Sequence, residues 1–549
     1  MEFSTLFREF AALLAIAVAA GFIANRLRQP LIVAFIAVGI LVGPPVMGLF
    51  EHNIAMELLA EFGIALLLFV VGLKLDLHLI KTMGPVSLAT GLGQITFTAT
   101  FVFLICQLLG IDLTASLYIA AAMSFSSTII IVKLLSDKRE IDSLHGRIAI
   151  GFLIVQDIMV VITMIVITAM GAAGEQAQLT TEVFSVLARG LLLLAGVALL
   201  MRYVLPYLLT YAATSTELLV LFSIALAISL AGLSDWIGFS KEVGAFLGGI
   251  ALATTPYREA IGSRLISVRD FLLLFFFISL GAQLDFATLG AQVPIALLLS
   301  AFVLIGNPLI VVSIMGVMGF RRRTGFLAGL AVAQISEFSL ILAALGFALG
   351  HINQETVGLI TLVALITIAV STYMILYSHA LYAWLAPVLK PFERKGFDRE
   401  AELQGAHEVR IPDVILFGLG RYGSHVARGL AEAGFDVLAV DFDPTRVKGW
   451  QDDRVAVRYG DAEDPDFIPS LPLSGVKQVI STVPQREVSI SLLKALRAEG
   501  FGGEVTVTSH RPDLVEFYRQ QGCDRVLLPY SDAADQAIYQ IRQALQQGA

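Results

Sequence analysis

Charge is scarce in this chain, and cysteine is nearly absent. Of its 549 residues 57% are hydrophobic and only 15% charged, where an ordinary soluble domain carries about 25% charged residues. The two cysteines, Cys106 inside an apolar run and Cys523 near the end, offer neither a disulfide framework nor a zinc-ligand spacing. The formal net charge is −8 and no basic stripe is interleaved with aromatics, so nucleic acid is not an expected partner. The opening MEFSTLFREF lacks the basic start and small-residue exit of a secretory leader, and its apolar run goes on into a full span.

What the chain has in abundance is apolar length. Mean hydropathy is +0.80. Up to about residue 388 one apolar run follows another, many reaching the roughly 20 residues that cross a bilayer. Thirteen spans are expected, at 5–26, 31–49, 54–73, 84–109, 114–135, 145–170, 183–210, 216–233, 241–255, 267–283, 292–318, 325–349 and 357–387. Basic residues fix their order. Arg26 and Arg28, Lys74 and Lys81, Lys138 with Arg139 and Arg147, Arg258 with Arg264 and Arg269, and Arg321 to Arg323 occupy alternate loops. The loops between carry no Lys or Arg. The positive-inside rule makes the basic loops cytoplasmic, the N-terminus external and the C-terminal part cytosolic.

The apolar part also resembles itself at an offset near 210 residues. AFIAVGILVGPP (34–45) matches AFLGGIALATTP (245–256), with Pro45 opposite Pro256. LLFVVGLKLDL (67–77) matches FFFISLGAQLDF (275–286), with Gly72 and Asp76 opposite Gly281 and Asp285. AAMSFSSTIIIVKLL (121–135) lies opposite LAVAQISEFSLILAA (330–344). Seven spans separate the copies, an odd number, so the second enters from the opposite face. The expected architecture is an inverted repeat, about 1–170 and 216–387, with span 7 as connector. Ion sites in such folds lie near the midplane, where broken helices meet.

Two segments read as breaks. MSFSSTII (123–130) gathers Ser124, Ser126, Ser127 and Thr128, and AQISEFSL (333–340) holds Gln334, Ser336, Glu337 and Ser339. Hydroxyls cap backbone groups freed by unwinding, and freed carbonyls ligate a bare cation; singly, they also bond back to the preceding turn. Glu337 suits a ligand, an ion-pair partner or a structural acid. Span 6 carries Gln156 and Asp157 in the middle of GFLIVQDIMVVITMIVI (151–167). An Asp at the bilayer centre costs about 2.5–3.5 kcal/mol on insertion scales. Such a carboxyl can hold a proton or a monovalent cation, the minimal chemistry of exchange, or serve as a structural acid bonded to a hydroxyl or amide. The second repeat has Thr367 near the matching place, so the acid is not duplicated scaffold.

QD in span 6, SFSST in span 5, ISEF in span 12, FVVGLKLD and FFFISLGAQLDF together resemble the monovalent cation:proton antiporter superfamily, in particular its Kef-type potassium/proton antiporters. The resemblance covers essentially the whole chain. It implies a 13-helix dimer that carries its ion in elevator fashion. Asp157 then holds the transported ion or proton with Gln156 beside it, supported by Ser126, Ser127, Thr128, Ser336, Glu337 and Asn307. Two departures matter. Relatives commonly have a second Asp at Gln156, and many have a Lys or Arg on span 11 where this chain reads Asn307-Pro308. Losing both charges together removes a buried ion pair without orphaning a partner, and one titrating acid suits electroneutral exchange. The loop YREAIGSRLISVRD (257–270) lacks the acidic, His-containing motif of glutathione control that the Kef type implies.

After a charged linker comes DVILFGLGRYGSHVARGLAEAGFDVLAVDFD (413–443). A β run at Val414–Phe417 leads into Gly418-x-Gly420-x-x-Gly423, an amphipathic helix, and a second strand ending in Asp441. This is the dinucleotide fingerprint in context: glycines for close backbone approach, a helix N-terminus for phosphate, an acid about 20 residues on for ribose hydroxyls. Asp461, after a third strand, is placed to meet adenine, and VKQVISTVP (476–484) reads as the fourth. Arg421 and His425 either touch phosphate or sit solvated. These features resemble the RCK or KTN domains of potassium channels and transporters. That implies an adenine nucleotide (AMP, NAD(H) or similar) as regulatory ligand, with no catalytic cofactor.

The expected fold class is a polytopic α-helical membrane protein of about 13 spans with inverted repeats, plus a C-terminal α/β Rossmann-like domain. Residues 1–388 form the exchanger, 389–411 the linker and 412–549 the nucleotide domain. The expected function is K+ efflux coupled to H+ uptake under nucleotide control. The setting is a homodimer in lipid, in a bacterial inner membrane, that admits a cytosolic regulatory subunit. A sodium/proton antiporter of the same fold is the first alternative. An RCK-gated channel lacks a TVGYG-like filter, and a membrane-anchored dehydrogenase lacks catalytic residues, so an enzyme is not expected.

Overall fold

The computed structural model describes residues 2–43, 54–74, 84–172, 179–284, 286–394, 399–400, 411–464 and 467–547. Pro45, Asp76 and Asp285, which the repeat pairs, lie outside them, as does most of the linker. The chain forms two compact units. One comprises Met1–Lys138, Ile148–Ile314 and Phe326–Leu385; the other comprises Arg139–Arg147, Met315–Gly325 and Ala386–Ala549.

The first unit is helical because lipid offers backbone groups no water to bond. Its helices are α1 (Glu2–Arg26), α2 (Leu31–Val42), α3 (Ile54–Lys74), α4 (Gly84–Leu108), α5 (Leu113–Ser124), α6 (Thr128–Asp137), α7 (Leu144–Ala172), α8 (Leu179–Leu199), α9 (Leu205–Ala212), α10 (Thr216–Ile237), α11 (Lys241–Ala253), α12 (Arg258–Ala282), α13 (Phe286–Ala301), α14 (Asn307–Val317), α15 (Arg322–Leu330), α16 (Glu337–Ala348), α17 (Gln354–Leu376) and α18 (Ser378–Leu389). Among the described residues, ten helical stretches are long and apolar enough to cross a membrane. They fall on ten of the thirteen expected spans. Span 2 (α2) and span 9 (α11) are shorter, and span 12 is interrupted between α15 and α16. The last span is also shorter than its apolar pattern: Tyr377 turns out of helical geometry (φ −105°, ψ 24°), which separates α18 from α17. The apolar periodicity runs straight through that corner, so pattern alone merges the two.

Glycines let helix backbones touch, and two pairs of them join the repeats. A Cβ on Gly39 would collide with the Ile278 carbonyl, and one on Gly281 with that of Ile36. Gly72 meets the Phe246 carbonyl and Gly249 that of Phe69 in the same way. Gly281 is the repeat counterpart of Gly72 (offset 209), and Gly249 adjoins Ile250, the counterpart of Gly39 (offset 211). Span 2 therefore packs on span 10 and span 3 on span 9, the same contact made twice across the two repeats.

The second unit holds a six-stranded parallel sheet of order β3-β2-β1-β4-β5-β6. The strands are β1 (Val414–Phe417), β2 (Val437–Asp441), β3 (Val455–Tyr459), β4 (Gln478–Ser481), β5 (Glu504–Thr508) and β6 (Arg525–Leu527). VILF and VLAVD are buried along their whole length, as strands covered on both faces must be. Five helices accompany them: α19 (Arg421–Glu432), α20 (Pro444–Lys448), α21 (Arg486–Ala498), α22 (Val515–Gln520) and α23 (Pro529–Gln547). This is the doubly wound dinucleotide order, whose ligand crevice lies at the carboxyl ends of β1 and β4, where the strand order reverses.

Candidate functional site

Spans 5 and 12 are both broken where their hydroxyl clusters fall. Phe125 and Ser127 are extended between α5 and α6, and Ser336 is extended before α16. Each half-helix starts on a serine cap: Ser127 Oγ accepts the Ile130 amide at 3.3 Å, and Ser336 Oγ the Phe338 amide at 3.2 Å. The cap satisfies one of the donors a helix start leaves open. The breaks bond to each other, with the Ser336 amide donating to the Phe125 carbonyl at 2.9 Å and the Ser339 hydroxyl to that of Ala122 at 2.5 Å. Each break is also held by the span that ends its own repeat. The Ser126 amide donates to Gln156 Oε1 at 2.9 Å, and the Ile335 amide to Thr367 Oγ1 at 3.4 Å.

A chain of buried polar side chains runs on from Gln156. Its Nε2 donates to Gln94 Oε1 at 2.5 Å, and Gln94 Nε2 to Thr98 Oγ1 at 3.0 Å. Thr98 Oγ1 then donates to Asn307 Oδ1 at 2.8 Å. Asn307 Nδ2 reaches the Met123 carbonyl at 3.4 Å and that of Val332 at 3.3 Å. Those carbonyls lie where α5 and α15 end, and helix C-termini carry partial negative charge. A neutral amide thus occupies the place where a cation would serve the same purpose. Gln94 and Thr98 escaped the sequence reading, although Thr90, Gln94 and Thr98, each fully buried, recur every four residues on one face of an apolar helix.

Asp157 is half-buried on α7. Its carboxylate adjoins the Thr128 hydroxyl and is close enough to Glu337 for the two acids to interact. Thr128 and Glu337 are the first residues of α6 and α16, whose N-termini favour negative charge. Ser126 Oγ, Thr128 Oγ1 and Glu337 Oε2 are buried without a hydrogen-bond partner. Such orphaned oxygens are rare unless something polar or cationic completes them. Ser126, Thr128, Asp157 and Glu337 are thus brought together, while Ser127 and Ser336 act as caps and Gln156 and Asn307 hold backbone. In the same unit a cavity of about 430 Å3 is lined by Glu61, Thr168, Asp235, Lys241, Glu242 and Leu345 among others. Lys241 bonds Glu61 there at 2.8 Å.

In the second unit the glycine loop is shaped for close approach. Gly418 has φ +96°, and a Cβ on Gly423 would run into the Gly418 carbonyl and the Thr482 hydroxyl. Gly420, at the N-cap of α19, has only the Arg446 guanidinium 3.4 Å from where a Cβ would sit. Arg421 and His425 are exposed. Asp441 is buried and props the loop: its oxygens accept the Leu419 amide at 2.5 Å and the Asp443 amide at 2.8 Å. Burial pushes its carboxyl above the usual range, and those amides and Arg446 offset part of the rise. Asp461, expected to meet adenine, is held by two partners. Its Oδ2 is bonded by Arg323 Nη1 at 2.5 Å and its Oδ1 by the Glu463 amide at 2.9 Å.

The sequence profile described as sodium/hydrogen exchanger, transmembrane, matches residues 11–376. The chain belongs to the sodium/hydrogen exchanger family. The profile of the TrkA-N domain, a nucleotide-binding regulatory domain, matches residues 414–529. The exchanger is 27% identical over 524 residues to YbaL of Escherichia coli (strain K12), covering 92% of each chain. It is 32% identical over 366 residues to the iron transporter MagA of Paramagnetospirillum magneticum, covering 66% of this chain and 84% of that one. It is 26% identical over 529 residues to the glutathione-regulated potassium-efflux system protein KefC of Salmonella schwarzengrund, covering 95% and 82%. The exchanger is a multi-pass membrane transporter of cations and protons with a C-terminal soluble domain, not an enzyme.

Proposed function

We propose that this exchanger is a nucleotide-regulated potassium/proton antiporter in which proton and cation share one carboxylate, Asp157. The observation that carries the reading is the crossing of the two broken helices, where Asp157 and Thr128 lie with the unpartnered Ser126 Oγ and Glu337 Oε2. Carboxylate and hydroxyl oxygens suit a hard cation such as K+ or Na+. The acids of the cavity, Glu61, Asp235 and Glu242, concentrate cations near the unit. Gln156 and Asn307 add no fixed charge to the crossing. Exchanging one cation for one proton on one carboxyl then moves no net charge, so the exchange is electroneutral. K+ as cargo, leaving the cell as H+ enters, rests on the Kef-type motifs and on the naming of the KefC relative.

The same reading sets the exchanger as a homodimer in a bacterial inner membrane, N-terminus outside, with residues 1–388 as transport domain, 389–411 as linker and 412–549 as nucleotide domain. Gly418, Gly420 and Gly423 with the N-terminus of α19 would hold the phosphates of AMP, NAD(H) or a similar nucleotide, and Arg421 lies at that end. The test uses liposomes containing the protein and an internal pH dye, with K+, Na+, Li+ and Fe2+ added in turn. K+ should drive proton movement, and Asp157→Asn should abolish it. Proton movement with Na+ alone would transfer the reading to a sodium/proton antiporter, and K+ flux without counter-moving protons would sink it.

A further inference from the structure

The nucleotide-binding unit takes two pieces of the membrane half into its own fold, Arg139–Arg147 and Met315–Gly325. The first leads into α7, which bears Asp157, and the second into α15, which ends at the break before Glu337. Arg147 lies in the first turn of α7, ten residues before Asp157, and Arg323 in the first turn of α15, eight residues before the break begins at Ala331. At the helical rise those separations are about 15 Å and about 12 Å of rigid rod.

Both arginines end on acids just beyond strands of the sheet. Arg323 is buried and bonds Asp461, two residues past β3, at 2.5 Å. Burial opposes its charge, yet Asp461, Asp464 and Glu463 more than offset this and raise its pKa. Arg147 reaches Asp443, two residues past β2, at 3.6 Å and also bonds Thr445. The segment around Arg323 is pinned further. The Arg321 amide donates to Glu400 Oε1 at 2.9 Å, and the Arg399 amide to the Gly319 carbonyl at 2.9 Å. These loops form the edge on which a nucleotide seated at Gly418 to Gly423 would rest its ribose and base. Arg323 is only 7% exposed and Asp461 26%, so parting the pair strands the guanidinium away from water and is resisted.

We infer that the Arg323–Asp461 ion pair, seconded by Arg147–Asp443, is the link through which nucleotide occupancy reaches the broken helix of span 12, and that Asp461 is a latch rather than an adenine contact. This rests on the nucleotide-regulated reading above. The loop after β3 and the start of α15 move as one body, so a ligand that shifts the loop shifts the helix that leads to Ser336 and Glu337.

The experiment uses the full-length protein in liposomes, with NADH and AMP as probes. Probe binding and cation-driven proton flux are measured on the same preparations. Arg323→Gln combined with Asp461→Asn removes both charges of the pair and leaves Asp464 and Glu463 in place. It should bind the probe with wild-type affinity while its flux no longer changes on probe addition. A fall in probe affinity in the neutral double variant would make Asp461 a ligand contact and overturn the inference. A response persisting in that variant would overturn it as well. Wild-type flux indifferent to both probes would instead remove the regulated reading itself.

Discussion

Replacing Asn307 by Leu tests whether the neutral polar chain holds the helix crossing together. Asn307 is fully buried and makes three hydrogen bonds, accepting from Thr98 and donating to the carbonyls of Met123 and Val332. Leu removes all three. Hydrogen bonds inside membrane proteins average about 0.6 kcal/mol and reach about 1.7. Three of them therefore predict a loss near 2 kcal/mol, with about 5 as the ceiling. A loss of 2 kcal/mol is roughly a 30-fold fall in the folding equilibrium constant. The Thr98 hydroxyl can turn back to its own helix, whereas the two carbonyls at helix ends have no such recourse. Reversible unfolding in mixed micelles measures the difference. Thr163→Val is the control, because that hydroxyl only bonds the Met159 carbonyl one turn back, at 2.8 Å. It should fall within about 0.5 kcal/mol of wild type. If Asn307→Leu is no more destabilising than the control, the chain is not what holds the crossing.

Three further outcomes are expected. Glu337→Gln keeps the side chain's size but removes charge from the orphaned oxygen, so the cation concentration for half-maximal flux should rise about tenfold, equivalent to about 1.4 kcal/mol; an unchanged concentration dependence argues against Glu337 as a ligand. Gly418→Ala places a Cβ at φ +96° against Thr482 and Val483, so the nucleotide domain should lose at least about 1–2 kcal/mol, read as its own melting transition; a wild-type transition contradicts the loop geometry. Lys477 and Arg454 hydrogen-bond Asp413 and Asp452 and hold their carboxyls below the usual range. As pH falls the unfolded chain takes up these protons first, so the stabilisation is present above about pH 4 and is lost as pH drops through the lowered folded values. Asp413→Asn with Asp452→Asn should flatten the acid limb of the unfolding midpoint against pH, and an unaltered limb refutes the assignment.

The breaks in spans 5 and 12 were legible because serine and threonine clusters disfavour uninterrupted helix and favour caps. Whether a given hydroxyl caps or ligates was not legible. Ser127 and Ser126 are neighbours of one type, and only backbone geometry makes the first a cap and leaves the second unpartnered. Asn307 stood out as a missing charge, but its partners sit 184, 209 and 25 residues away, beyond any local pattern. Asp461 shows the same limit more sharply. Its place after β3 fits the dinucleotide pattern, and nothing near it hints that Arg323, 138 residues earlier, takes its carboxylate. Sequence periodicity reports which face of an element is apolar, whereas pairing between distant polar groups is settled only when the chain closes.

The crossed glycine contacts have a consequence for how the chain is made. Gly39 waits for Gly281, and Gly72 for Gly249, so the backbone seats on the first repeat have no occupant until the second repeat is synthesised. At about 5–20 residues per second, the roughly 200 residues between them take some 10–40 s to emerge from the ribosome. Throughout that interval the early helices must stay inserted, with small-residue grooves that lipid or a neighbouring nascent chain can fill, before their proper partners arrive.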